Sequence, residues 1–175
     1  MNSILADPIV RLVVCGNADR GDDGVALATI ATILPALPRA LLVTLDVRRC
    51  VELRVEDLVD LPAGLSCLIV DAVVGPEPGT VVTLTLGELV GRPPFTPRSS
   101  HQLPIDLAVG LAGILRDRPV EGTFVGLAGR AFGYGTPLSR VAQAAMPAFG
   151  EAIEVELYHL AHLDRALAPI AAGEA

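Results

Sequence analysis

The sequence predicts an α/β protein in which helices cover both faces of a mostly parallel sheet. Short apolar runs typical of strands alternate along the chain with segments of helical spacing. The runs are apolar at consecutive positions, which is the pattern of strands buried on both faces. With 175 residues the chain has the length of a single domain, and we expect its ordered core to span residues 10–166.

The predicted elements can be placed in chain order. The strands are predicted at Leu12–Cys15, Leu41–Leu45, Cys67–Val70, Thr80–Leu86 and Thr123–Leu127, with the fourth as an antiparallel edge strand. The helices are predicted at Asp22–Leu34, Val55–Val59, Leu103–Leu115 and from Thr136 towards Arg165. The core-facing stripe of the third helix is predicted to consist of Leu103, Leu107, Leu111 and Ile114. The polar, proline-rich loop Gly91–Ser100 is long for a connector, and such loops are often functional.

The composition excludes several classes of function. Hydrophobic residues make up 51% of the chain and aromatic residues 3%, so the core must be built from Val, Leu, Ile and Ala. The net charge of -7 disfavours binding to nucleic acid or to an anionic membrane. The mean hydropathy is +0.54, but the apolar runs are too short for a membrane helix. The scattered cysteines and the lack of a secretory signal predict a cytoplasmic protein without disulfides.

The turn after the first strand is predicted to favour a cation. It contains Gly21-Asp22-Asp23-Gly24 and leads into the first helix, as in a phosphate-binding turn. A helix N-terminus favours an anion by about 0.3–1 kcal/mol. A carboxylate about 4 Å from a phosphate costs roughly 4 kcal/mol at an effective dielectric constant of about 20. The repulsion from the two aspartates therefore outweighs the helix dipole.

Acidic residues and a histidine follow separate predicted strands and connections. Asp22 and Asp23 follow the first strand, Asp71 ends the third, and His101 opens the helix after the long loop. In parallel sheets the ligand site lies outside the carboxyl ends of the strands, so these side chains are expected to converge there. One carboxylate from each of the two strands and the imidazole of the histidine make a set that suits nickel or zinc better than calcium or magnesium.

Each of these residues also has a structural interpretation. Asp22 is expected to bind backbone donors at the helix start, and Asp23 can do the same. His101, taken alone, is typical of a helix start. Asp71 is harder to explain structurally, because a buried charge is costly without a partner. Taken by themselves, the residues indicate only an α/β domain with a candidate metal site.

Three segments closely resemble the motifs of the hydrogenase maturation endopeptidases, in the same order. They read GNADRGDDGVA, LIVDAVVGPEPGTV and SSHQLPIDLAVGLA, and the resemblance runs from about Arg11 to Phe149. Members of this family remove the C-terminal extension of the large-subunit precursor of nickel–iron hydrogenases. The resemblance implies an αβα sandwich around a five-stranded sheet. It also implies a monomeric endopeptidase, of aspartic or metal-assisted type, that meets its precursor transiently.

The resemblance also implies the site residues. The metal ligands of the family correspond to Asp23, Asp71 and His101, and Asp23 is expected to lie nearest the chemistry. The metal is expected to be nickel that the precursor already carries. Two departures from the family motifs stand out. Val14 stands where the family usually has a glycine, and the loop that ends the second strand reads Asp46-Val47-Arg48-Arg49 where the family often has Asp-Gly-Gly-Thr. The second departure is expected to bear on which precursor is chosen.

Two alternatives to a nickel-dependent endopeptidase remain at this point. One is a non-catalytic protein that senses or chaperones the metal centre of a hydrogenase during assembly. The other is a zinc hydrolase that acts on free peptides or small amides.

Overall fold

The central sheet of the computed structural model has five strands in the order β2-β1-β3-β5-β4, and the structure describes residues 9–91 and 103–164. The strands are β1 Val10–Cys15, β2 Leu45–Cys50, β3 Ser66–Val73, β4 Val81–Thr85 and β5 Gly122–Ala128. β1 pairs in parallel with β2 and β3, β3 pairs in parallel with β5, and β4 is antiparallel to β5. The predicted mostly parallel sheet with one antiparallel edge strand is confirmed.

Helices cover both faces of the sheet. The α-helices are α1 Val25–Ile33, α2 Arg39–Leu42, α3 Glu56–Val59, α4 Leu86–Val90, α5 Ile105–Leu115 and α6 Arg140–Leu160. On one face, α1 and α6 bury side chains such as Ile30 and Phe149 against alternate residues of β1 and β3. On the other face, α3, α4 and α5 bury Leu58, Leu89 and Val109 against the remaining strand residues. These two cores make the three-layer αβα sandwich that the sequence resemblance implied.

The predicted apolar stripe of α5 is wrong. Its members face solvent, with 50% of Leu107, 44% of Leu111 and 76% of Ile114 exposed. The helix instead buries Ala108, Val109 and Ala112, whose small side chains allow α5 to lie close to the sheet. Because the helix is apolar on most of its surface, helical spacing alone does not identify the buried face.

The second strand was also placed wrongly. Of the predicted strand Leu41–Leu45, the first two residues belong to the helical turn α2, which follows Pro38 and buries Leu41 completely, and only the last belongs to a strand. The true strand β2 begins at Leu45 and contains Arg48 and Arg49, which are exposed and do not lie in a loop. β2 is an edge strand with polar side chains, so it lacks the apolar run expected of a strand buried on both faces.

The last helix begins later than predicted. Thr136 does not cap it; the N-cap is Ser139, whose hydroxyl accepts a hydrogen bond from the Ala142 N–H at 3.2 Å. Within the described residues the helix ends at Leu160, before the predicted end. The first helix likewise begins with a separate 3-10 turn, Gly21–Gly24, that precedes α1. Ser139 is itself held by a distant residue, because its N–H and its hydroxyl both donate to the Asp22 carboxylate.

The cysteines and the helix lengths bear on two further expectations from the sequence. All three cysteines lie in described segments and are free thiols in the structure. Across residues 9–91 and 103–164, no helix is both long and apolar enough to span a membrane.

Candidate functional site

The 3-10 turn after β1 lies against β3, at the edge where both parallel strands end. Gly16 brings the turn there in a backbone conformation, φ +135°, that other residues rarely adopt. A Cβ atom at this position would lie 2.1 Å from the Asp23 carbonyl oxygen. The close approach of the two backbone segments therefore requires glycine at position 16.

Asp22 is a structural residue. It is fully buried, and its carboxylate accepts hydrogen bonds from the backbone N–H groups of Arg130, Ala131 and Ser139 at 2.6–3.0 Å. The Ser139 hydroxyl donates a fourth bond at 2.8 Å. Burial opposes ionisation of Asp22, but these bonds outweigh it and lower the pKa of the carboxyl. The structural interpretation is confirmed, although the donors come from the segment after β5 and not from α1.

Asp23 is buried at the same turn, with 2% of its surface exposed. Its N–H donates to the Arg20 carbonyl at 3.2 Å, and its own carbonyl packs on Gly16. The backbone of Asp23 is therefore held on both sides. The structure thus gives this acidic residue a fixed position at the carboxyl edge of the sheet.

Asp71 lies within β3, which continues to Val73 and does not end at this aspartate as the sequence suggested. Strand alternation places its side chain on the same face as Ile69 and Val73, the face that α5 covers. Burial raises the pKa of the Asp71 carboxyl to about 7, although the Ala72 N–H donates a hydrogen bond to it at 2.7 Å. A nearby cation would favour the ionised form of this carboxyl.

Cys15 is the neighbour of Asp71 on β1. The register pairs Val14 with Val70, so Cys15 and Asp71 lie side by side at the next position. A hydrogen bond with Cys50, burial and the charge of Asp71 all raise the pKa of the Cys15 thiol well above its usual value. This part of the edge therefore disfavours negative charge on either side chain.

The third predicted ligand, His101, lies outside the described residues, as does most of the loop Gly91–Ser100. Among residues 9–91 and 103–164, no group of three or more His, Cys, Asp or Glu side chains is placed to hold a metal ion. The structure brings Asp23 and Asp71 to the same edge of the sheet. The complete three-residue metal site stays a prediction.

Asp106 is a buried acidic residue that sequence reasoning missed. It lies in the first turn of α5 and is 8% exposed. α5 precedes β5, which runs parallel to β3. A helix that leads into a parallel strand runs in the opposite direction to that strand, so α5 begins at the edge of the sheet where β3 ends. The signal in the sequence was a single acidic residue at the start of an otherwise apolar helix.

No protein-family model and no curated protein sequence matches the chain, but solved structures do. The hydrogenase maturating endopeptidase HybD from Escherichia coli aligns with a TM-score of 0.68 at 18% identity, over 86% of this chain and 92% of that chain. The endopeptidase HycI from Escherichia coli aligns with a TM-score of 0.61 at 20% identity, over 83% and 89% of the chains. The hydrogenase maturation protease HybD from Thermococcus kodakarensis gives 0.55 at 20% identity, over 83% and 97%.

The chain has the fold of the hydrogenase maturation proteases. This similarity covers most of both chains in each comparison. It agrees with the family that the three sequence motifs resemble.

The rim of this edge carries a second feature that the sequence did not indicate. The Arg20 guanidinium carbon lies 4.9 Å from the centroid of the Tyr134 ring, a cation–π contact. The Gly135 N–H donates to the Asp19 carbonyl at 2.7 Å and ties the two loops together. Tyr134 is 73% exposed, so the arginine and the ring present a cationic and aromatic surface beside the buried aspartates.

Proposed function

We propose that the chain is an endopeptidase that removes the C-terminal extension of the large-subunit precursor of a nickel–iron hydrogenase. The observation that carries the proposal is the fold, which is similar over most of its length to structures named hydrogenase maturation endopeptidases. The sequence motifs support the same group independently. The proposed enzyme is a cytoplasmic monomer, and its free thiols fit a reducing compartment.

In this proposal nickel arrives as part of the substrate. Asp23 and Asp71 bind it, together with His101, which the motif resemblance supplies. The chemistry of the donors fits, because a carboxyl whose pKa is raised by burial gains from a neighbouring cation. Nickel bound in this way supplies Lewis acidity towards the scissile carbonyl or a water molecule. Asp23, fixed by its backbone contacts, orients the reacting group or accepts its proton.

Shared coordination explains why only a nickel-loaded precursor is cut. Three protein ligands leave a first-row metal with open positions, and no thiolate is among them, so the free protein holds the metal weakly. A precursor that carries nickel adds the free energy of these bonds to its binding. Since each 1.4 kcal/mol is about tenfold in affinity, a few bonds separate loaded from empty precursor by orders of magnitude.

The test is cleavage of purified precursor. The protein is incubated with nickel-loaded and with nickel-free precursor, and the mass of the precursor is measured over time. We expect loss of a C-terminal peptide from the loaded precursor alone. Asp71→Asn should remove this activity, whereas Asp19→Asn, an exposed residue in the loop beside the site, should keep it.

Other outcomes would favour a different function. Equal cleavage of loaded and empty precursor would contradict nickel-dependent selection and support an ordinary hydrolase. Binding of the loaded precursor without cleavage would support a non-catalytic protein of hydrogenase assembly. Cleavage by Asp71→Asn at the rate of the unaltered protein would exclude Asp71 from the site.

A further inference from the structure

Cys15 and Cys50 form a thiol pair at the carboxyl edge of the sheet. They are the last residues of β1 and β2, and the parallel register pairs them directly. Their sulfur atoms are 3.2 Å apart and share a hydrogen bond. Neighbouring strands lie about 4.8 Å apart, which is within the roughly 4.4–6.8 Å between Cα atoms that a disulfide spans.

The two thiols differ in access to solvent. Cys15 is fully buried, whereas Cys50 is half-buried on an edge strand. The Cys50 sulfur also lies 3.8 Å from the Val14 carbonyl oxygen, so it is held towards β1. A reagent from solvent therefore reaches Cys50 first. The Cys15 sulfur is already in contact with the Cys50 sulfur.

Cys67 provides a comparison within the same chain. It is fully buried in the same core as Cys15, but it lies near the start of β3 and pairs with Arg11 in the register. Cys15 is four residues further along β1, which is about 13 Å at the rise of a parallel strand. Cys67 is therefore out of reach of the pair.

We propose that Cys15 and Cys50 are a redox modification site that forms an intrachain disulfide when the protein meets a peroxide. The Cys50 sulfur attacks one peroxide oxygen, the O–O bond breaks, and Cys50 sulfenic acid and water are formed. The Cys15 sulfur then attacks the Cys50 sulfur, and the S–O bond breaks with release of a second water. The two sulfurs lose two electrons to the peroxide, and each thiol proton leaves in a water molecule.

The disulfide joins the ends of β1 and β2 beside Asp71. It replaces the thiol hydrogen bond with a covalent link between an inner strand and an edge strand. A small thiol or a dithiol reductant reverses the reaction by thiol–disulfide exchange. The formation of this bond does not depend on the proposed peptidase function.

The experiment follows the sulfur atoms directly. Reduced full-length protein is treated with hydrogen peroxide, quenched with catalase, unfolded and alkylated, and then examined by intact mass and by peptide mapping without reductant. We expect the unaltered protein to lose two alkylatable thiols and to yield one linked peptide pair containing Cys15 and Cys50. Dithiothreitol should restore both thiols.

Variants provide the controls. Cys67→Ser should form the same linked pair as the unaltered protein, whereas Cys50→Ser should form none. In Cys15→Ala, Cys50 should stop at the sulfenic acid or be oxidised further. Circular dichroism should verify that each variant is folded. Peptide mapping of the unaltered protein tests the proposal without any variant, so the result does not depend on whether every variant folds.

Three results would overturn the proposal. The first is oxidation of Cys50 to sulfinic acid in the unaltered protein without a linked pair. The second is a linked pair that includes Cys67. The third is a disulfide that joins the Cys50 residues of two chains, formed under conditions in which the Cys15–Cys50 link within one chain does not form.

Discussion

Asp22 and Asp71 lie at the same edge of the sheet in opposite chemical surroundings. Four donors surround the Asp22 carboxylate, and its pKa is lowered. Asp71 also accepts a backbone hydrogen bond, but there burial dominates, and its pKa rises to about 7. Asp22 is therefore ionised in the folded protein. The pKa of Asp71 lies near neutral pH, where the carboxyl can gain or lose its proton.

This difference gives the two aspartates different expected roles. The bonds of Asp22 join the turn after β1 to the segment that leads into α6, and a ligand would have to break them. The backbone hydrogen bond that the Asp71 carboxylate accepts comes from Ala72, the next residue of the same strand, and so it joins no distant segments. Replacement of Asp22 should therefore damage the fold, and replacement of Asp71 should damage function.

Asp22→Ala should give the largest loss of stability. It leaves buried N–H groups at Arg130, Ala131 and Ser139 without their acceptor. Such groups cost about 1–3 kcal/mol each, and partial relaxation reduces the sum, so we expect a loss of about 4 kcal/mol. Urea unfolding measures it. Asp19→Ala, an exposed neighbour, should stay within about 0.5 kcal/mol of the unaltered protein.

Gly16→Ala should come next, at about 3 kcal/mol. The added Cβ meets the Asp23 carbonyl oxygen at 2.1 Å, and the backbone is strained as well. Gly75→Ala is the matched control, because Gly75 has a similar φ of +126° but no atom within 4 Å of the added Cβ. Unfolding of both variants in urea separates the steric contact from the backbone strain. Equal losses would show that the contact with Asp23 contributes nothing.

The pH dependence of stability should distinguish the two aspartates. The folded protein holds the Asp71 proton up to a pH of about 7, whereas an unfolded aspartate loses it near about 3.9. The folded state therefore binds more protons between these values, and stability falls as the pH rises from about 4 to about 7. With allowance for the solvent access of this half-buried group, the fall is about 2 kcal/mol.

Asp71→Asn isolates this effect. The variant lacks the carboxyl, so its stability relative to the unaltered protein should increase across the same pH range. Asp22 has the opposite sign, since a lowered pKa gives stability that is present above about pH 4 and lost as the pH falls through the folded value. Thermal unfolding at several pH values checks both. A constant difference between Asp71→Asn and the unaltered protein would exclude the raised pKa.

The parts of the fold that the sequence predicted are those with a local cause. The inner strands β1, β3 and β5 are apolar on both faces, and their positions were found within a few residues. The edge strand β2 was misplaced because it lacks that pattern. The start of α6 was misplaced because its N-cap, Ser139, also bonds to Asp22, which is 117 residues away. Such a contact has no signature in the local sequence.

In the candidate site, too, some features could be predicted from the local sequence and others could not. The motif spelling predicted Asp23 and Asp71 as metal ligands, and the structure places both at one edge of the sheet. The spelling did not show that burial shifts the pKa of Asp71, nor that Cys15 and Cys50 meet. Both facts depend on which residues become neighbours across the sheet. The sequence of a single strand does not determine those neighbours.

Glu88 extends the comparison to the protein surface, where the smallest effect is expected. Its carboxylate accepts hydrogen bonds from the Thr85 N–H and hydroxyl, both at 2.9 Å, in the capping box of α4. These bonds resemble those of Asp22 in chemistry and length, but Glu88 is exposed, so water can replace it as the acceptor. Glu88→Ala should therefore cost about 0.5–1 kcal/mol in urea unfolding, against about 4 for Asp22→Ala. Equal costs would contradict this expectation, because neither the burial of Asp22 nor its larger number of hydrogen bonds would then add to the stability of the protein.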